Sequence, residues 1–489
     1  MNRQIAWLVL GFAFLVCSTS SIAQTTGPDP REIPIPAIKT TIKPLPGVDK
    51  LPVRPELPDI LTMNNGTKVT TIAQWKRRRE EIRKTLEYYA VGTMPPAPGN
   101  VQGQEMHTEL VMDGKVKYRL IKLTFGPDRK LELYIGVFTP TDAKGPVPAI
   151  ISQSAEPPGG PELKRSAQGP NQGKGEDVLM MVGPAPATAA ATGPRPGAGF
   201  GAGRPPATPD SLAKARADVF QRGYALVMYN DSDCAEDTTL READGSFTFR
   251  HTRFFPAYPG YEWGILGGWA WGASRVADYL VTDPAIDKTK LIITGASRAG
   301  KSAMVAAAFD DRLMGAPVVT GGGGIGAYRF AGPDNSETLD IMEKKYPNWF
   351  SPHLHEFWGQ REKLPFDEHW FLALCAPRPF VALEGDADTI SYPDAVEHSI
   401  RAAWKAYDLY GAEAKLGIHY SHHAHAFTTE DWTAMLDFAD KNLRGIQNNV
   451  AFDHFLTLDQ RKAAVADAAA HAPARPPGAT RTGDAGPPQ

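Results

Sequence analysis

Short apolar segments and helical patterns alternate along most of this chain of 489 residues. Runs rich in Val, Ile, Leu and aromatic residues predict strands at residues 116–124, 130–138, 147–152, 224–229, 291–294, 316–320 and 379–383. Helical patterns occupy residues 72–89, 264–280, 302–309 and 395–409, and a last helix is predicted to end at Leu443. This alternation predicts an α/β fold, a three-layer sandwich in which helices cover both faces of a mostly parallel sheet.

Three segments differ in composition from this central region. Residues 24–58 are rich in proline and predict an extended arm before one large domain over residues 59–450. Within that domain, residues 182–210 are mostly Pro, Gly, Ala and Thr. They predict a disordered insertion, because such a segment buries too little apolar surface to offset its loss of chain entropy. Residues 451–489 are predicted to form a largely disordered tail.

The first 23 residues have the pattern of a secretory signal peptide. A positive start at Arg3 precedes an apolar run over residues 5–16, and Ser21-Ile-Ala23 supplies the small residues typical of a cleavage site. The apolar run is too short to anchor the chain stably in a bilayer. We therefore expect a secreted or periplasmic protein that begins near Gln24 and is not stably inserted in a membrane.

The composition is that of a protein with a sizeable core and no strong charge bias. Apolar residues make up 42% of the chain, and the net charge of -3 gives no basic excess that would indicate nucleic-acid binding. Removal of the signal peptide leaves two cysteines, Cys234 and Cys375, and the apolar surroundings of Cys375 favour a buried free thiol. Because no Cys/His group has zinc spacing, no metal or other cofactor is predicted.

Residues 295–302, Gly-Ala-Ser-Arg-Ala-Gly-Lys-Ser, fit two motifs, and both require a strand before and a helix after. As G-x-x-x-x-G-K-S they match a phosphate-binding loop. Around Ser297 they resemble a nucleophile elbow, the sharp strand-to-helix turn that exposes a catalytic serine. Because ATP is scarce outside the cytoplasm, export favours the second interpretation, and no bound nucleotide is expected.

A serine nucleophile requires a histidine base and a carboxylate that orients the base, and the chain order of α/β-hydrolases is serine, acid, histidine. Asp386 and Asp388 follow the strand at residues 379–383, and four histidines precede the last helix: His419, His422, His423 and His425. Each type also has an ordinary interpretation. The serine is a common helix N-cap, an aspartate often caps a turn, and the histidines fit a surface loop or an adventitious metal site.

Two cations accompany Ser297. Arg298 follows it directly, and its guanidinium would add to backbone N–H groups in stabilising an oxyanion. Lys301 lies one helical turn further along and would face the same opening of the site as Ser297. The pair predicts a polar or anionic substrate, whereas the ordinary alternative for each cation is a salt bridge that packs the helix.

Several segments together carry a family resemblance. Gly295-Ala-Ser-Arg-Ala-Gly-Lys301 is similar to the signature G-x-S-R-x-G-K. The further similarities are Trp269-Ala-Trp-Gly-Ala-Ser-Arg275, Gly321-Gly-Gly-Gly324, Tyr346-Pro-Asn-Trp-Phe350, Asp367-Glu-His-Trp370, Ala376-Pro-Arg-Pro379, and His419 through His425 followed by Asp431-Trp432. Together, over roughly residues 75–443, they resemble the glucuronoyl esterases, carbohydrate esterase family fifteen of the α/β-hydrolase superfamily.

The resemblance implies hydrolysis of an ester between the carboxyl group of a glucuronic acid in xylan and an alcohol, as in lignin linkages. In it Ser297 is the nucleophile, His425 is the base and Arg298 assists the oxyanion. A glucuronate-bearing polysaccharide would be the substrate, and its sugar would contact Lys301, Glu337 and Glu368.

The chain departs from the family pattern at three positions. Thr320 stands where many members place the acid, which moves that role to Asp388, with Asp386 as the other candidate. Ile390 replaces a sugar-stacking tryptophan of some members, and Ser421 replaces an arginine. A general carbohydrate acetyl or carboxyl esterase, or a non-catalytic carbohydrate-binding relative, therefore remain as alternatives, although a pure binder needs neither the serine nor the histidine.

Overall fold

A computed structural model describes residues 44–154, 209–237, 240–241, 247–248, 253–261, 263–330, 332 and 336–471. Its strands are β1 Gln102–Val111, β2 Val116–Phe125, β3 Leu131–Pro140, β4 Val147–Ser154, β5 Ala225–Asn230, β6 Leu240–Arg241, β7 Phe247–Thr248, β8 Ile286–Ala296, β9 Leu313–Val318, β10 Phe380–Gly385 and β11 Leu416–Ser421. Its helices are α1 Ile72–Leu86, α2 Pro209–Gln221, α3 Ile265–Leu280, α4 Arg298–Phe309, α5 Leu339–Lys345, α6 His369–Cys375, α7 Pro393–Asp408, α8 Thr429–Ala439 and α9 Leu458–Ala470.

Within the described residues, nine strands form one sheet in the order β1-β2-β3-β5-β4-β8-β9-β10-β11, and β6 pairs only with β7. The pairs from β1 to β5 are antiparallel, and those from β5 to β11 are parallel. On the sheet, α3, α4, α6 and α7 contact one another in turn, while α2 contacts α8. The predicted α/β-hydrolase class is therefore confirmed.

The sequence explains why β8 and α4 form the centre of the molecule. Leu291, Ile292 and Ile293 are fully buried, as expected for a strand covered on both faces. The first turn of α4 follows directly, and its small alanines pack close to the sheet. Parallel strands end at one edge, so the loops after β8, β10 and β11 meet there.

Helix α3 packs closely onto the loop after β5. A Cβ at Gly272 would lie 2.3 Å from Cys234 Sγ, so only glycine permits this approach. Trp269 Nε1 donates a hydrogen bond of 2.7 Å to the carbonyl oxygen of Ala235. Cys234 and Cys375 are buried free thiols, as the sequence predicts for Cys375.

The end of the chain differs from the tail predicted to begin at residue 451. Phe452 packs against Phe438 with ring centroids 4.9 Å apart, and its carbonyl oxygen accepts the N–H of Ile418. Helix α9 follows after a capping box formed by Thr457 and Gln460. The packing of Phe452 and the polar contacts described above thus order the segment up to residue 471. The amino-acid composition of the segment reveals neither of these contributions. Residues 472–489 lie outside the described residues.

The other predicted segments are described only in part. The signal peptide at residues 1–23 lies outside the described residues, as does the predicted insertion except for residues 209–210, which begin α2. The predicted arm is described from residue 44 and contains one short 3-10 turn, Val48–Lys50. No helix in the described part of the chain is both long and apolar enough to cross a bilayer.

Candidate active site

Ser297 occupies the sharp turn between β8 and α4. Its backbone has φ of 56° and ψ of -120°, a strained conformation for a residue with a side chain. A Cβ at Gly300 would lie 2.8 Å from the carbonyl oxygen of Gly295 and 2.9 Å from that of Val318, so glycine is required for this turn. The serine side chain makes no helix-capping hydrogen bond. It is therefore not an ordinary N-cap, and the geometry is that of a nucleophile elbow.

The side chain of His425 joins the serine to a carboxylate. Nε2 of His425 lies 2.9 Å from Ser297 Oγ, and Nδ1 lies 2.8 Å from Asp388 Oδ2. Three loops supply these residues, which follow β8, β10 and β11. The arrangement matches the nucleophile–base–orienting acid chain of serine hydrolases.

Asp388 is held rigidly in its loop. It is buried, and its Oδ1 accepts the backbone N–H groups of Ile390 at 2.8 Å and Ser391 at 3.2 Å. Burial raises the pKa of this carboxyl, but the opposing effects of His425 and of these hydrogen bonds lower it below the ordinary value. Asp386, the other candidate, instead contacts His422, with 3.0 Å between Oδ2 and Nδ1.

Arg298 is fixed by an acidic and aromatic group that the sequence did not reveal. It forms an ion pair with Asp237, and its guanidinium lies 5.2 Å from the ring centroid of Trp349 and 5.8 Å from that of Tyr346. Asp237 also accepts a hydrogen bond of 2.7 Å from Trp349 Nε1. The guanidinium beside the serine is therefore pre-oriented. No local sequence signal pairs Arg298 with an aspartate 61 positions earlier.

Lys301 is fully buried and connects the nucleophile helix to the loop of the acid. Its Nζ lies 2.7 Å from Glu337 Oε2 and also contacts the carbonyl oxygen of Thr320. Glu337 donates its backbone N–H to the carbonyl oxygen of Ile390, two residues after Asp388. The structure thus brings Lys301 and Glu337 together next to the loop that holds Asp388.

Comparisons with known proteins agree with the serine-hydrolase geometry of the site. A family model described as glucuronyl esterase of fungi matches residues 209–411. A carbohydrate esterase from an unknown prokaryotic organism is 25% identical over 80% of this chain and 90% of its own length. The 4-O-methyl-glucuronoyl methylesterase of Hypocrea jecorina is 27% identical over 84% of this chain and 75% of its own length.

A solved carbohydrate esterase family 15 glucuronoyl esterase from Caldicellulosiruptor kristjansonii has 26% sequence identity and a TM-score of 0.60. The match covers 83% of this chain and 95% of the other. The chain belongs to the glucuronoyl esterase family. As a family member it is a carboxylic ester hydrolase.

In this glucuronoyl esterase two of the three departures, those at Thr320 and Ile390, have structural explanations. Thr320 Oγ1 accepts the N–H of Ile325 at 2.9 Å and so closes the glycine-rich loop. Ile390 belongs to the turn that fixes Asp388. A carboxylate in the loop after β10 therefore contacts the histidine, while the hydroxyl after β9 is engaged in its own loop.

Glu368 lies in the interior beside α6. It is buried, and its Oε2 has no hydrogen-bond partner among the described residues. Burial raises its pKa well above the ordinary value, and Asp367 adds to this effect while Lys301 opposes it. The neutral acid is consequently the favoured form of this side chain.

Among the other histidines of the cluster, His422 and His423 have separate partners. His422 contacts Asp386 and Asp467, and His423 contacts Asp431 and the carbonyl oxygen of Ala424. Among the residues that the structure describes, no three His, Cys, Asp or Glu side chains are arranged to hold a metal ion.

Proposed function

We propose that this glucuronoyl esterase is an exported serine esterase that hydrolyses esters of the glucuronic acid carboxyl group in glucuronoxylan, including lignin–carbohydrate linkages. The observation that carries the proposal is the continuous contact from Ser297 Oγ through His425 to Asp388. The relative from Hypocrea jecorina is a 4-O-methyl-glucuronoyl methylesterase, which supports the choice of acyl group. Export rests on the signal-peptide pattern of residues 1–23.

In the proposed mechanism, His425 Nε2 takes the proton of Ser297 Oγ as this oxygen attacks the ester carbonyl carbon. His425 then gives that proton to the departing alcohol, which leaves a glucuronoyl ester on the serine. Water, deprotonated by the same nitrogen, attacks this ester, and the proton returns to Ser297 as glucuronate departs. Asp388 holds the imidazole orientation and stabilises its charged form throughout.

The cations have different tasks in this proposal. Arg298, pre-oriented by Asp237, stabilises the oxyanion that develops on the carbonyl oxygen. Lys301 is fully buried, so it acts on the sugar through Glu337, whose carboxylate it fixes for hydrogen bonding to sugar hydroxyl groups. Glu368, whose neutral form is favoured, adds no charge beside Lys301 and stays a predicted sugar contact.

The proposal is tested by hydrolysis of benzyl glucuronate and of p-nitrophenyl acetate, with the wild-type protein and with Ser297→Ala. We expect the glucuronate ester to be the preferred substrate. The variant should lose at least about 10³-fold in kcat and keep a wild-type circular dichroism spectrum. Turnover of the acetate alone would instead indicate a general esterase. Binding of glucuronate without turnover of either ester would indicate a carbohydrate-binding protein.

A further inference from the structure

His423 lies two residues before the proposed base and fits tightly between two elements. Its side chain is only 9% exposed. A Cβ at Gly385, the last residue of β10, would lie 2.3 Å from the carbonyl oxygen of His423 and 2.6 Å from its Nδ1. Ala387 donates its N–H to the same carbonyl oxygen at 3.2 Å. The loop of the base is thus packed against the loop of the acid at this residue.

Both ring nitrogens of His423 face hydrogen-bond acceptors. Nδ1 lies 2.6 Å from the carbonyl oxygen of Ala424, and Nε2 lies 3.1 Å from Asp431 Oδ2 and 3.2 Å from Oδ1. The carboxylate of Asp431 already accepts the N–H of Thr428 at 2.7 Å. A neutral imidazole carries one N–H and would therefore leave a nitrogen lone pair against an oxygen lone pair. Only the ring with both nitrogens protonated satisfies both contacts.

We propose that His423 is a positioning residue. As an imidazolium that donates to Ala424 and Asp431, it fixes the loop that carries His425 to the N-terminus of α8. The inference rests on the proposed function of His425 as the base. His423 would thus position His425, the other histidine of the same loop.

The charged groups around His423 agree with this state. Asp431 faces it from α8 and Asp388 from the acid loop, while His425 follows in its own loop and His419 lies on β11. Burial lowers the pKa of His423, but the hydrogen bond and charge of Asp431, the carbonyl of Ala424 and the charge of Asp388 together raise it above the ordinary value. Loss of this proton at alkaline pH would release the loop, so kcat should fall as the pH rises through that raised pKa.

The charge on His423 is measurable without any assay of activity. We would record ¹⁵N spectra of the protein labelled at histidine and assign the signals of His423 by their absence in His423→Gln. Near pH 7, where an ordinary histidine is mostly neutral, both ring nitrogens of His423 should be protonated. One protonated and one bare nitrogen would overturn the proposal.

Kinetics then separate positioning from simple packing. His423→Gln keeps an amide donor near Asp431 but loses the charge and the bond to Ala424. We expect kcat on benzyl glucuronate to fall about 10- to 100-fold with little change in KM, because a displaced base loses alignment. The alkaline fall in kcat should also disappear.

The adjacent His422 provides the matched control. It is 58% exposed and contacts Asp386 and Asp467, so His422→Gln should retain wild-type kcat. A His423→Gln enzyme with wild-type kcat, or with lower kcat and an unchanged alkaline limb, would contradict the positioning role. If the wild-type protein does not hydrolyse the glucuronate ester, the proposed function fails, and the ¹⁵N spectra still decide the charge of His423.

Discussion

At the scale of single residues, Asp388 contacts the proposed base, His425. One of its oxygens faces Nδ1 of the histidine, and the other is held by two backbone N–H groups. The amide in Asp388→Asn presents a donor towards one of these partners and favours the wrong tautomer of the base. We expect kcat to fall roughly 10³- to 10⁴-fold with the fold intact.

Asp386→Asn is the matched comparison for this prediction. Asp386 contacts His422 rather than the proposed base His425, so its amide variant should keep kcat near the wild-type value. Steady-state kinetics on benzyl glucuronate check both variants. An active Asp388→Asn beside an inactive Asp386→Asn would reverse the assignment of the acid.

The sequence predicted all three residues of the Ser–His–Asp series, although it left two aspartates open as the acid. Each lies in a loop just after a strand, a position at which polar residues are readily recognised. The partners of Arg298 and His423 were not predicted. Arg298 pairs with Asp237, 61 positions earlier, and such a pairing depends on how the loop after β5 lies against the start of α4 rather than on any local pattern. Local spacing identifies reactive groups, but it does not identify the side chains that hold them.

At the scale of elements, the strands with continuous apolar runs were predicted, whereas β1 and β11 were not. The residues of β8 and β10 form apolar runs because helices cover both faces of the sheet. Strand β1 was missed, since most of its residues are exposed and, in the part of the chain that the structure describes, it pairs only with β2 at the edge of the sheet. An edge strand in water on both faces carries no alternation of apolar residues that would reveal it.

Helix α9 was missed for a related reason, and its contacts yield a prediction. It buries no residue, and Arg461 binds it to α7 through Asp394 and Glu397, the latter at 2.9 Å. A helix of this length is marginal without tertiary contacts. Arg461→Met should therefore destabilise α9 by about 1.5–3 kcal/mol, the range for hydrogen bonds to charged groups.

Hydrogen–deuterium exchange measures this effect directly. Amides of residues 458–470 should exchange about 10- to 100-fold faster in Arg461→Met, whereas those of β8 and β10 should be unchanged. Lys462→Met is the control, because the adjacent Lys462 is exposed. Equal exchange of α9 in both variants would show that Arg461 does not hold the helix.

At the scale of the whole molecule, the parallel half of the sheet assembles the site. Ser297, Asp388 and His425 are far apart in the chain, yet β8, β10 and β11 end at the same edge. The polypeptide before residue 59 also joins this architecture. Pro58 supplies a carbonyl oxygen that accepts hydrogen bonds from His369 Nε2 at 2.8 Å and from Trp370 Nε1 at 3.2 Å. The start of α6 thereby ties the N-terminal segment to the domain.

This tie makes the stability of the whole fold sensitive to acid. Burial lowers the pKa of His369 from 6.5 to about 4, so the folded protein keeps this side chain neutral where the unfolded chain binds a proton. Its contribution is therefore complete above pH 6.5 and is lost as the pH falls towards about 4. The difference between the two pKa values corresponds to about 3 kcal/mol.

His369→Gln, which keeps a donor for Pro58 and does not titrate, should lose about 2–3 kcal/mol less stability than wild type between pH 7 and about pH 4.5. Urea denaturation at the two pH values measures this difference, and the exposed His454→Gln should behave as wild type. An equal loss in all three proteins would mean that His369 does not contribute to acid sensitivity.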